Sequence, residues 1–137
     1  MAKMVIGLSS GSIDKLLGAG VIMSGAAADD MEIEVYVLLT AARAFIKGNE
    51  DLEDAWVEYP HLKNEMIERM KEIKMSSWMD SMREVKDMAD VKIYICSLAG
   101  KLWGGEKLED FNDLVDGFSG IFQYVQAAQE ADLHISL

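Results

Sequence analysis

The chain has 137 residues, of which 50% are apolar and 27% charged, with a formal net charge of −11 and a single cysteine. That length makes one domain, able to bury roughly two-thirds of the surface its unfolded form exposes. The acidic balance, with no basic stripe, argues against a nucleic-acid partner and against an anionic membrane surface, and a lone cysteine excludes an internal disulfide or a multi-cysteine zinc site.

Met1-Ala2-Lys3 precedes too short an apolar run for a signal segment. The longest apolar stretch, Leu16 to Ala28, is interrupted by Ser24 and is shorter than the ~18–20 residues of a bilayer span. No membrane span is therefore expected. A cytoplasmic, reducing setting is expected, in which an unpaired cysteine stays a thiol.

Met4-Val5-Ile6-Gly7-Leu8 reads as a strand buried on both faces, ended by the turn Ser9-Ser10-Gly11-Ser12. Ser12 suits the N-cap of a helix over Ile13 to Ala28, with Asp14 in the first turn. That helix is poor in bulky residues, and Gly18, Ala19, Gly20, Gly25 and Ala26 to Ala28 would let it lie close to a neighbour. The serine-rich turn lacks both the lysine of a P-loop and the spacing of a dinucleotide fingerprint, so it reads first as a plain turn.

Glu32 to Thr40 reads as a second strand, apolar on both faces in its later part. Thr40 is expected to cap a short helix over Ala41 to Lys47 that Gly48 ends. Asn49 to Pro60 is an acidic loop around Trp56 without the order of an EF-hand, so no metal is expected there. His61 to Lys74 is helical by spacing, with Leu62, Met66, Met70 and Ile73 on one face. After Ser76-Ser77 a second amphipathic helix carries Trp78, Met82, Val85 and Ala89 inward. The methionines of these two helices fit gap-filling in a pliable cover or a partner surface better than a copper site.

Val91 to Cys96 is a short buried strand running into a turn of helix that reaches Trp103. Leu114-Val115 then suggests a very short strand and Asp116-Gly117 a turn. Ser119 to Ala131 reads as a helix with Ile121, Tyr124, Val125 and Ala128 inward, and Leu133 to Leu137 as a closing edge strand. Strands alternating with helices imply an α/β/α sandwich on a mostly parallel five-stranded sheet, in one domain spanning residues 1–137.

In such a sheet ligands bind beyond the carboxyl ends of the strands. Those ends supply Ser9, Ser10 and Gly11, then Thr40, then Cys96 and Ser97, with Arg43 and Lys101 about one turn into their helices. The set suits a thiol whose cargo or leaving group is anionic, because backbone N–H groups at a helix start favour a thiolate. An inert packed cysteine would occupy the same place, so both readings of Cys96 stand on spacing alone. His61 and His134 fit capping and edge-strand roles better than a Cys–His dyad.

Leu8 to Leu16, Ser24-Gly25-Ala26-Ala27-Ala28, the methionine-rich middle and Val91-Lys92-Ile93-Tyr94-Ile95-Cys96-Ser97 follow one another in an order that resembles the DsrE/DsrF-like sulfur-relay family, in its peroxiredoxin-like branch. The resemblance implies a three-layer homo-oligomer. It also implies that Cys96 takes a sulfane sulfur as a persulfide and passes it to a TusA-like or rhodanese-like partner, without a cofactor. Many members carry a second cysteine, which this chain lacks. Recycling through an intrachain disulfide is therefore excluded, and with it the simplest peroxidase cycle. The expected function is a cytoplasmic sulfur carrier or sulfurtransferase. The alternatives are a non-enzymatic oligomeric binding module with a packed cysteine, or a one-cysteine thiol peroxidase.

Overall fold

Five strands pair, all in parallel, in the order β4-β3-β2-β1-β5. A computed structural model describes residues 1–137. The strands are β1 (Lys3–Leu8), β2 (Glu32–Val37), β3 (Val91–Cys96), β4 (Gly117–Ser119) and β5 (Leu133–Ser136). The helices are α1 (Ile13–Ala28), α2 (Leu39–Ala44), α3 (Lys63–Glu72), α4 (Trp78–Met88), α5 (Ser97–Leu102) and α6 (Ile121–Glu130). The result is the three-layer α/β/α arrangement on a parallel sheet that strand–helix alternation predicts.

Register decides what each face of the sheet carries. Met4, Ile33 and Val91 lie side by side, as do Ile6, Val35 and Ile93, and then Leu8, Val37 and Ile95. These nine side chains form the floor of the core, and α1 and α4 cover them. Gly20 lets the two helices touch, since a Cβ there would come within 2.8 Å of the Ser81 hydroxyl. Gly18 and Gly25 meet nothing, so only part of the small-residue run serves close packing.

The opposite face is narrower and more polar. It carries Val5, Glu34 and Lys92 in one row and Gly7, Tyr36 and Tyr94 in the next. Helix α6 lies over it through Tyr124, whose ring stands 5.3 Å from that of Tyr36. No α6 residue is fully buried, and Ile121 and Val125, read from spacing as inward, are 56% and 46% exposed. The helix rests on one row of aromatic contacts because the sheet beneath offers little apolar width.

Several boundaries differ from the sequence reading, and α2 ends at Ala44 rather than running to Lys47 and Gly48. Strand β2 stops at Val37 and α2 begins at Leu39, so Thr40 lies inside the helix instead of capping it. The apolar Val37-Leu38-Leu39 continues the strand pattern, but β1 ends at Leu8 and the last bond of the pair is Leu38 N–H to the Leu8 carbonyl at 2.8 Å. Helix α3 starts after a 3-10 turn over Pro60–Leu62 and buries no residue completely. The short fourth strand falls at Gly117–Ser119 rather than Leu114-Val115. Asp116 occupies the start of that pairing: its carboxylate accepts the Ile93 N–H at 2.8 Å and holds the Lys86 ammonium at 2.6 Å.

No helix is long and apolar enough to cross a membrane.

Candidate functional site

Cys96 is the last residue of β3 and the N-cap of α5, beside Ser119 of β4 in register. Its backbone is extended (φ −61°, ψ 125°), so the chain passes from strand to helix without a loop. Period-two alternation places its side chain with Lys92 and Tyr94, on the α6 side of the sheet. The residue is 8% exposed and lines a cleft of about 830 Å³ between α2, α5 and the start of α6.

The walls of that cleft are Leu38, Leu39, Leu98, Leu102 and Ile121, and Lys101 is the one charged side chain among them. Leu39, Leu98, Leu102 and Ile121 are each more than half exposed, which is unusual for leucine and isoleucine gathered at one place. Trp103 holds the wall together. Its indole N–H donates to the Leu39 carbonyl at 2.8 Å and its ring lies 5.8 Å beneath the Arg43 guanidinium, tying α2 to α5.

The rim expected from strand ends divides into two places. Lys101 shares the cleft with Cys96, and Ser97 stands next to it, exposed, with its hydroxyl donating to the Ser119 carbonyl at 3.4 Å. Ser10, Gly11, Thr40 and Arg43 gather instead in a second crevice, at the start of α1, that does not include the cysteine. Ser9 belongs to neither, because its hydroxyl donates to the Leu137 carbonyl at 3.0 Å and secures the chain end.

Arg43 is committed to Asp54 through two parallel bonds of 3.0 Å, and that guanidinium holds the Asp54 carboxyl below its usual range. Asp54 lies eleven residues away in the acidic loop, so nothing in the local spacing announces this pair. The apolar walls were also missed. The signal available was Leu98 and Leu102, four apart on a helix too short to bury them.

His134 and His61 stand apart from the cysteine. His134 Nε2 pairs with the Tyr124 hydroxyl at 2.7 Å on the far edge, and His61 is exposed beside Tyr59. No group of three or more His, Cys, Asp or Glu side chains is placed to hold a metal ion. The chain matches no protein-family model, and no curated protein is significantly similar to it.

Proposed function

We propose that the chain is a cytoplasmic sulfane-sulfur carrier of the DsrE/DsrF-like kind, with Cys96 as its working thiol. The observation that carries this reading is the position of the only cysteine: at a strand's carboxyl end, on the wall of an apolar cleft, with a single cation, Lys101, beside it. A persulfide is softer and less hydrated than an oxyanion, and an apolar cleft keeps water and stray thiols from the terminal sulfur.

Loading is a displacement at sulfur. The Cys96 thiolate attacks the outer sulfur of a thiosulfonate or persulfide donor, a Cys96 S–S bond forms, and the donor's own bond to that sulfur breaks. The electron pair leaves with the donor remnant, sulfite in the case of thiosulfate. Unloading reverses the roles: an acceptor thiolate attacks the terminal sulfur and the pair returns to Cys96. No external oxidant or reductant is needed. The fitting partner is a TusA-like or rhodanese-like protein that can present its own thiol to the cleft. The exposed apolar residues around the cleft suit a homo-oligomer or such a partner.

One observation favours the second reading, a binding module with a packed cysteine, namely that 92% of the Cys96 surface is covered (100% less the 8% exposed). The one-cysteine peroxidase gains nothing from a cleft whose walls carry no histidine, arginine or threonine to polarise a peroxide.

Incubation with polysulfide or a thiosulfonate donor, followed by intact-mass measurement, is expected to add sulfur to the wild type and none to Cys96→Ser. A wild type that gains no sulfur from any donor, and reacts with maleimide only after unfolding, establishes the packed reading instead.

A further inference from the structure

We propose that the cavity beneath α3 binds a small zwitterion with a bulky apolar body, the chemistry of a free amino acid with an aromatic side chain. This goes beyond the carrier reading and does not rest on it, since Cys96 does not line the cavity.

The cavity has a volume of about 440 Å³, within the roughly 300–1,000 Å³ usual for small-molecule sites. Leu17 of α1, Trp56 of the acidic loop, Ile67 and Met70 of α3, and Trp78 and Met79 of α4 line it. Trp56, Trp78 and Met79 are buried members of the core, whereas α3 buries no residue completely. The floor is therefore fixed and the cover is light. Indole rings and thioethers together make a polarisable lining that suits a flat ring.

Charged groups stand at the mouth. Lys71 and Lys74, from the end of α3 and the turn after it, line the cavity together with Glu50 and Asp51 from the acidic loop. All four are exposed, and none belongs to an ion pair, although the nearby Lys63 and Arg69 are paired with Glu53 and Glu72. Two ammonium groups and two carboxylates cancel, so the mouth favours neither a net anion nor a net cation. The opposite signs come from separate segments and do not close on each other. A guest that carries both charges can pair with each.

The turn that presents Lys74 is strained. The Met75 N–H donates to the Met70 carbonyl at 2.8 Å and the Lys74 N–H to the Lys71 carbonyl at 3.2 Å, the pair of bonds that ends a helix on one left-handed residue. That residue is Lys74, at φ 56°. Glycine takes this position freely, and a lysine there gives up stability while it sets an ammonium at the mouth. Glu50 is placed from the other side, because its carbonyl accepts the Trp78 indole N–H at 2.8 Å and ties the acidic loop to α4.

Two indole N–H signals read the two apolar sites separately: Trp78 lines this cavity, whereas Trp103 bonds Leu39 beside Cys96. Titration of the intact chain with L-phenylalanine, followed by NMR, is expected to move the Trp78 signal saturably and leave that of Trp103 in place. Phenylpropionate lacks the ammonium and phenethylamine lacks the carboxylate, and each should bind about threefold more weakly, the worth of an exposed charge pair. Glycine, which is the head group alone, should give no saturable shift. Lys71→Gln with Lys74→Gly keeps its fold, since glycine relaxes the turn, and is expected to lose the preference for phenylalanine over phenethylamine. Glu50→Gln with Asp51→Asn is expected to lose the preference over phenylpropionate. Equal affinity for the three ring compounds, an unmoved Trp78 signal, or both preferences surviving in both variants overturns the proposal.

Discussion

The phenol of Tyr124 lies directly over Gly7. A methyl group at position 7 would sit 2.0 Å from its hydroxyl oxygen and 2.6 Å from Cζ. The same hydroxyl pairs with His134 at 2.7 Å, and the ring packs on Tyr36. This one contact fixes how α6 rests on the sheet.

Gly7→Ala must push Tyr124 aside and is expected to cost about 1–3 kcal/mol, the usual penalty of overpacking. Tyr124→Phe removes only the nearer clash. The cycle with Tyr124→Ala is the decisive measurement: Gly7→Ala should cost much less in that background than in the wild type, read by denaturant unfolding.

The mouth of the Cys96 cleft is built from exposed leucines, so widening it should leave the fold alone. Leu98→Ala with Leu102→Ala is expected to speed alkylation of Cys96 by a bulky maleimide severalfold more than by iodoacetamide. Stability should move by no more than about 0.5 kcal/mol per site, as for ordinary surface changes. Equal acceleration of both reagents would mean that the leucines do not form the barrier.

Asp116 links β3, β4 and α4. Its carboxylate accepts the Ile93 N–H and the Lys86 ammonium, and that ammonium also donates to the Leu114 carbonyl at 2.8 Å. Asp116→Ala leaves a strand N–H unpaired and removes the counter-charge of a largely covered ammonium, which keeps only the Leu114 carbonyl, with an expected loss of about 1–3 kcal/mol. Hydrogen exchange should localise the loosening to Ile93 and the β4 edge.

Burial and, next, its hydrogen bond to Glu34 push the Tyr36 phenol up to about 12. The folded state therefore holds this proton longer than the unfolded chain does. Below pH about 10 both states keep the proton and stability is unaffected; between about 10 and 12 it falls as pH rises. Tyr36→Phe is expected to flatten that part of the alkaline unfolding profile, and the difference between the ultraviolet titrations of wild type and Tyr36→Phe should show this phenol ionising near pH about 12.

Much of this architecture was legible in order along the chain. The limits of α1 and β3 follow from the Ser9-Ser10-Gly11-Ser12 turn, the small-residue run and the apolar Val91 to Cys96, because turns and burial are local or nearly so, although Ser12 stands at the N-cap without making a side-chain cap bond. Thr40 misled because a strand is ended by its neighbour as much as by its own residues: β1 ran out at Leu8. Ile121 and Val125 misled because helical periodicity shows which side is apolar, whereas the surface available to cover it belongs to another part of the chain.

The sequence alone determined a parallel α/β/α layering and the placement of its single cysteine at a strand's carboxyl end, since both rest on alternation and local hydrophobicity. Only the tertiary structure decided that Arg43 answers to Asp54, that Cys96 faces leucines rather than hydroxyls, and that Ser12 is left without a partner. Each of those depends on contacts between residues far apart in the chain, whose distances are set by how strands register and helices pack.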